Sequence, residues 1–349
     1  MPRKGVVLFS GIRRKTGCSC NGQIPGLECV ANRPIAHHVL DAMLAAGADD
    51  LVIAGAADVL IDVRACLNEY RSESLRLDYA VSDEGADPIG AFEAAAQLVG
   101  AEPCIVHVGE GLLDHPIAPY VESLHTRSLD LVLLCQGPSS ARGAHGSVRE
   151  DGGLPTIPGI LWDAGIGVFG PGAFRDACQR DAGAGPSGLG MLAQQLSDGG
   201  EQVQVSLADG WRSYRGQPQE LLELNRLALD LIAPQMRHAN HLQNQIEGRV
   251  HIDRAASVTT SVIVGPVVIG EGAEVTNAYL GPYTSVGAGA RIEGAEIERS
   301  IISPGARVMH VGARLVSSLV GRGAHVFRDF SLPRAMRLRV GEGDEVAVC

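Results

Sequence analysis

The sequence predicts a chain in two parts: a mostly parallel α/β domain over residues 1–235 and a parallel β-helix of six-residue repeats over 250–349, joined by a linker at 236–249. Three observations predict it. Short apolar strands alternate with helical stretches as far as residue 215. A leucine-periodic helix and a polar stretch then interrupt that pattern. From Val250 onward single aliphatic residues return every five or six positions, with glycine- or proline-bearing turns between them.

Strands are expected at Val6–Phe9, Asp50–Ala54, Cys104–Val108, Leu129–Cys135, Ile166–Phe169 and Val203–Leu207. Pro34–Ala46 opens with a proline in the first turn and stops before Gly47, which marks a helix. Ala91–Val99 and Ile117–His125 read the same way. Strands joined by helical crossovers form a sheet covered on both faces, and such sheets bind ligands at the carboxyl ends of their strands. Pro218 then starts "PQELLELNRLALDLIAP", whose leucines at 221, 222, 224, 227, 229 and 231 keep helical spacing. The polar "QMRHANHLQNQIEGR" that follows reads as the linker.

In the last hundred residues the repeating aliphatics are Ile252, Val258, Val264, Ile269, Val275, Leu280, Val286, Ile292, Ile297, Ile302 and Val308, then, after a break, Leu315, Val320 and Val326. The turns between them include "IGEGAEV", "VGAGARI", "ISPGARV" and "VGRGAHV". One such repeat cannot bury its aliphatic alone, whereas stacked coils form a continuous column. A narrow column of Val and Ile also suits the aromatic content of only 4%. The tail "PRAMRLRVGEGDEVAV" is expected to cap the open end of the stack.

Composition removes several function classes. The chain is 45% hydrophobic, yet no apolar run reaches the length of about 18 residues that a bilayer span needs. The N-terminus carries no secretory signal pattern, and the eight cysteines are scattered, so a reduced, cytoplasmic protein is expected. The net charge of −11, with arginines dispersed, makes neither nucleic acid nor membrane an expected partner. Lysine occurs at positions 4 and 15 alone, so every later basic side chain is arginine or histidine.

The order of α/β domain, linking helix and β-helix resembles the sugar-1-phosphate nucleotidyltransferases, in particular the long-form glucose-1-phosphate thymidylyltransferases. The C-terminal "GPVVIGEGAEVTNAYLGPYTSVGAGARIEGAEIERSII" and "PRAMRLRVGEGDEV" carry the likeness most specifically. Farther upstream "VANRPI" is similar to that family's "VANKPI", "DPIGAFEA" to "EPLGLAHA", "VHVGEGLL" to "VYLGDNLL" and "WRSYRGQPQELLELNR" to "WKDTGTPEDLLEANR". The resemblance implies a Rossmann-like nucleotidyltransferase domain followed by a left-handed β-helix. It also implies a reaction in which a sugar phosphate oxygen attacks the α-phosphorus of a nucleoside triphosphate. Such chemistry needs close backbone amides, cations on the phosphates and a Mg²⁺ ion held by carboxylates.

Carried over residue by residue, that equipment is depleted here. In the phosphate loop only Gly11 matches an expected glycine, Lys15 falls on the arginine position, and Arg13 replaces a glycine. Arg13, Arg14 and Lys15 either attract a phosphate as point charges or form a solvated basic loop. The loop lysine position holds Gly26, and the later lysine that would touch the sugar phosphate is missing from "GGLPTIPGIL". Of the metal carboxylates, one becomes Glu110 and the second aligns with Tyr214; Asp114 and Asp209 are possible substitutes. Glu110 has a plain alternative reading, an exposed acid at a strand end. The stretch Ile24 to Ala96 lacks the glutamine that reads a pyrimidine, and "SGLGML" around Gly188 replaces the sugar-binding run. Gly90 and Gly165 match glycines that line the family's cleft, though close packing would require glycine equally well.

The expectation is therefore a nucleotidyltransferase homologue with transferase activity impaired or absent, kept for assembly, regulation or a new ligand. A nucleotide or sugar phosphate is the expected ligand, with no cofactor if the chain is inactive and Mg²⁺ if it is active. The enzymatic alternative assigns catalysis to Lys15 and Glu110 and ligand binding to Gly11, Arg13, Arg14, Gly90 and Gly165. A second alternative, acyl transfer on the β-helix, would use His310 or His325 as base. Cys18, Cys20 and Cys29 fall short of the four ligands of a structural zinc site and read as free thiols. A β-helix face of small and apolar residues favours a homo-oligomer, or a mixed oligomer with an active relative.

Overall fold

The computed structural model describes residues 2–9, 24–70, 72, 74–82, 88–135, 164–180, 188–208, 210–232 and 243–330. The described chain divides into two compact units. The first holds the described residues of 2–9, 24–27 and 34–214, and the second those of 28–33 and 215–330.

In the first 214 residues the chain runs β1 (Lys4–Leu8), β2 (Cys29–Val30), β3 (Arg33–Pro34), α1 (Ile35–Ala45), β4 (Asp50–Ala56) and α2 (Ala57–Leu67). Next come β5 (Arg76–Ser82), α3 (Pro88–Val99), β6 (Cys104–Val108), β7 (Gly111–Leu113), α4 (Ala118–Thr126) and β8 (Leu131–Cys135). The remainder is β9 (Ala164–Phe169), α5 (Ala173–Cys178), α6 (Leu189–Asp198), β10 (Val203–Leu207) and β11 (Trp211–Ser213). Seven strands form one sheet in the order β10-β8-β9-β6-β1-β4-β5. All neighbours are parallel except β9, which runs antiparallel to both β6 and β8. The strands β1, β6 and β8 are almost wholly apolar and buried, as expected where helices cover both faces. One core joins Val6, Val52, Val106 and Leu133 of the sheet to Phe92 of α3, Phe174 of α5 and Leu192 of α6.

The expected strands are all present, with ends shifted by one or two residues. The strand β5 and the helices α2, α5 and α6 were not read from the sequence. In β5, "RLDYAVS" is a sheet edge whose side chains are mostly exposed or half-buried, so its hydrophobic signal is weak.

In the second unit α7 (Pro218–Asp230) begins with a capping box: Gln217 lies at the cap position, and the Glu220 side chain accepts from the Gln217 backbone N–H at 3.2 Å. Beyond it the chain winds through three parallel five-stranded sheets visited in rotation, the coiled path of a parallel β-helix. In the first coils each residue pairs with one 17 positions on, Ile246 with Ile263, Ile263 with Leu280, and Leu280 with Ile297; farther along the spacing is 16, Ile292 with Val308, and then 18, Val308 with Val326. Val258, Val275, Ile292 and Val308 form a second buried column, and Ile269, Val286 and Ile302 a third. The first coils thus use two six-residue steps and one five-residue step. That spacing corrects one position: Ile263, fully buried, faces inward, and Val264, placed inward from the sequence, is only half-buried. Counting a uniform six from Val258 lands one residue too far.

One corner of the coil repeats as Gly272, Gly289, Gly305 and Gly323, all with φ between 63° and 70°. The turn motifs seen in the sequence place glycine at this left-handed position, where a Cβ would be strained. The sheet containing Val267–Ile269 and Thr284–Val286 is buried on both faces, because Asn225 of α7 bonds to Ser285 and Tyr283 on its outer side. The proposed capping tail lies outside the described residues, as do positions 236–242 of the linker.

Candidate functional site

In the first unit the strands β1 and β6 run side by side, and their carboxyl ends mark where a parallel sheet of this kind offers a ligand crevice. Just past β6, the Gly109 amide donates to the Leu8 carbonyl at 2.7 Å, which ties the two strand ends together. Glu110 follows immediately. It is only 8% exposed, so the reading of an exposed strand-end acid is wrong. Directly after it β7 pairs antiparallel with β11, about a hundred residues on, in a small two-stranded flap.

The register of that flap places Gly111 opposite Ser213, and the Tyr214 amide donates to the Glu110 carbonyl at 2.8 Å. The two positions that the resemblance marks as metal carboxylates are therefore adjacent in space, and one of them is a buried tyrosine. Asp114 stands at the far end of β7, four residues along, about 13 Å away at an extended rise of ~3.3 Å per residue. Its carboxylate is instead 2.6 Å from Nδ1 of His115, whose Nε2 is 2.8 Å from the Tyr120 hydroxyl. Asp209 lies outside the described residues.

Trp211, the first residue of β11, is 2% exposed. A Cβ added at Gly165 of β9 or at Gly111 of β7 would overlap its indole. Gly165 is therefore required by packing. At Gly90 in α3 an added Cβ would meet, among the described residues, only the Ser82 Cβ, at 3.6 Å, which is ordinary contact. The His107 ring sits edge-on to Trp211 with centroids 5.4 Å apart, and its Nδ1 donates to the Val108 carbonyl at 2.7 Å. Burial without a counter-charge pushes its pKa down to about 4, so it is neutral at physiological pH. Neither His107 nor Trp211 was assigned a role from the sequence. The available signal was a lone histidine inside an otherwise apolar strand, "CIVHV".

Gly11, Arg13, Arg14 and Lys15 lie outside the described residues, as do Cys18 and Cys20. Cys29 is half-buried. Gly188 caps α6 with φ 67°. Among the described residues no group of three or more His, Cys, Asp and Glu side chains is placed to hold a metal ion. The two paired positions supply one carboxylic acid, Glu110, and one tyrosine, a poor fit to a Mg²⁺ site that expects two carboxylates. In the second unit, His310 and His325 lie at opposite ends of one strand pairing, since Arg307 is the partner of His325. His310 stands 3.6 Å from Glu293.

Among curated relatives, a glucose-1-phosphate thymidylyltransferase of Streptomyces antibioticus is 28% identical over 363 residues, covering 99% of each chain. The low-salt glycan biosynthesis nucleotidyltransferase Agl11 of Haloferax volcanii is 26% identical over 362 residues, covering 98% of this chain and 99% of its own. The chain resembles the sugar-1-phosphate nucleotidyltransferases along nearly its whole length. A solved Bacillus anthracis structure described as a glucose-1-phosphate thymidylyltransferase, crystallised with sucrose, matches with a TM-score of 0.52 at 18% identity. It covers 66% of this chain and 97% of its own, and shows that the nucleotidyltransferase-like fold is shared. No family model matches. No helix among the described residues is long and apolar enough to cross a membrane.

Proposed function

We propose that the chain belongs to the sugar-1-phosphate nucleotidyltransferases as a member with transferase activity lost or greatly reduced. In this reading it keeps the scaffold and the cleft position, and serves as a binding or regulatory subunit in sugar-nucleotide metabolism. The observation that carries this is the Glu110–Tyr214 pairing. Nucleotidyl transfer needs charge neutralisation on the phosphates, and the position facing Glu110 offers a phenol in place of a second carboxylate. The lysine census points the same way, since the lysines that would touch phosphate have no counterpart after residue 15. The C-terminal part, in the same reading, is a left-handed β-helix of hexapeptide-repeat type that promotes self-association, and the protein is cytoplasmic.

The test is direct. Purified protein is incubated with each nucleoside triphosphate, a panel of hexose 1-phosphates including glucose 1-phosphate, and Mg²⁺, and pyrophosphate is measured. The expected result is no turnover above background. Turnover that Glu110→Gln abolishes would overturn the proposal and establish a diverged but active enzyme.

A further inference from the structure

Glu28–Arg33, which holds all of the short β2–β3 pair except its last residue, belongs to the second unit, while Ile24–Leu27 before it and Pro34 onward belong to the first. Its turn is unusual. Ala31 and Asn32 both occupy the left-handed region, with φ of 47° and 62°. Asparagine tolerates that region, but alanine does not, so the turn must be held by its surroundings.

The holding groups are specific. Asn225 of α7 is 1% exposed. Its Oδ1 accepts from the Ala31 amide at 2.8 Å and from the Ser285 hydroxyl at 2.6 Å, and its Nδ2 donates to the Tyr283 carbonyl at 3.2 Å. One amide side chain thus joins the hairpin turn, the helix and a coil of the β-helix. A second grip is independent of it: Asn32 Nδ2 donates to the Val286 carbonyl at 2.6 Å. Helix α7 is itself pinned to the coils, because Arg249 binds the Asp230 carbonyl at 2.5 Å and the Asp230 carboxylate at 2.8 Å.

We propose that Glu28–Arg33 is a strap: a piece of N-terminal chain, leaving after β1 and returning into α1, that the C-terminal unit holds through Asn225 and Val286. The strap makes the two units unfold as one cooperative body. The chain passes from one unit to the other at Leu27–Glu28 and back at Arg33–Pro34, so a held strap adds to the chain connection at Tyr214–Arg215. A buried side-chain amide that satisfies three groups at once is costly to remove, since each group left behind is buried without a partner.

Hydrogen exchange read by mass spectrometry on the full chain across a urea series tests this. In the wild type, peptides from β6 and from the coil strands at 262–298 are expected to lose protection at the same urea concentration. In Asn225→Ala, the peptide containing Ala31 is expected to exchange about tenfold faster or more, and the β6 and coil transitions to separate. Asn32→Gly provides a second variant that keeps the left-handed turn while removing the Val286 grip; the same separation is expected, smaller in size. If Asn225→Ala does not fold, the Asn32→Gly result alone decides. Transitions that separate already in the wild type, or that stay coincident in the variants, overturn the strap.

Discussion

At the scale of single residues, His107 makes the clearest prediction. Its folded pKa of about 4 lies below the ordinary histidine value, because burial disfavours the charged ring. Between pH 4 and about 6.5 the unfolded chain therefore binds a proton that the folded chain does not, and stability falls as the pH is lowered through that window. The full effect is about 3 kcal/mol for a group this buried. Urea unfolding at pH 7 and pH 4.5 should show the loss, and His107→Phe should flatten it. The glycines make a paired prediction. Gly165→Ala forces a methyl into the Trp211 indole and is expected to cost about 1–3 kcal/mol, seen as a lower Tm. Gly90→Ala, within α3 and meeting only ordinary contact, should leave the protein as stable or raise it by ~0.5–1 kcal/mol. Both glycines matched the family pattern in the sequence, but only the neighbouring indole distinguishes them.

Elements differ in how openly the sequence announces them. The β-helix was legible because each coil repeats its inward aliphatics and its left-handed glycine corner, so many weak signals agree. One column position was misplaced, Val264 for Ile263, because a six-residue step from Val258 overshoots where the coil takes five. Ile292 sits fully buried mid-column, and Ile292→Ala is expected to cost about 2–5 kcal/mol in urea unfolding followed by circular dichroism. Helix α7 was read from its leucine spacing, and its cap adds a smaller test. Glu220→Ala removes the carboxylate that accepts from the backbone amides of Arg215 and Gln217, a loss of ~1 kcal/mol. The edge strand β5 was missed because a half-exposed strand lacks an apolar run to notice. The flap formed by β7 and β11 was missed because three-residue strands 100 residues apart leave no local pattern.

For the whole molecule, the exposed Phe327, Phe330 and Val316 on the last described coil are apolar surface that association would cover. A mass by light scattering well above the 36.6 kDa of one chain is therefore expected, and a clean monomer would count against an assembly role. The order of the parts was determined by the sequence alone: an alternating α/β region, a helix, then a repeating column, because hydrophobic periodicity is a local property of the chain. The scarcity of lysine, at positions 4 and 15 alone, was equally determined, since a missing side chain is missing in any fold. Tertiary structure alone decided that Glu110 is buried rather than exposed, that Tyr214 is its neighbour, and that Ala31 is held by Asn225. Those facts depend on which distant segments meet. Contacts between residues about a hundred or two hundred positions apart are set by packing and by the need to pair every buried polar group, and no local pattern records them.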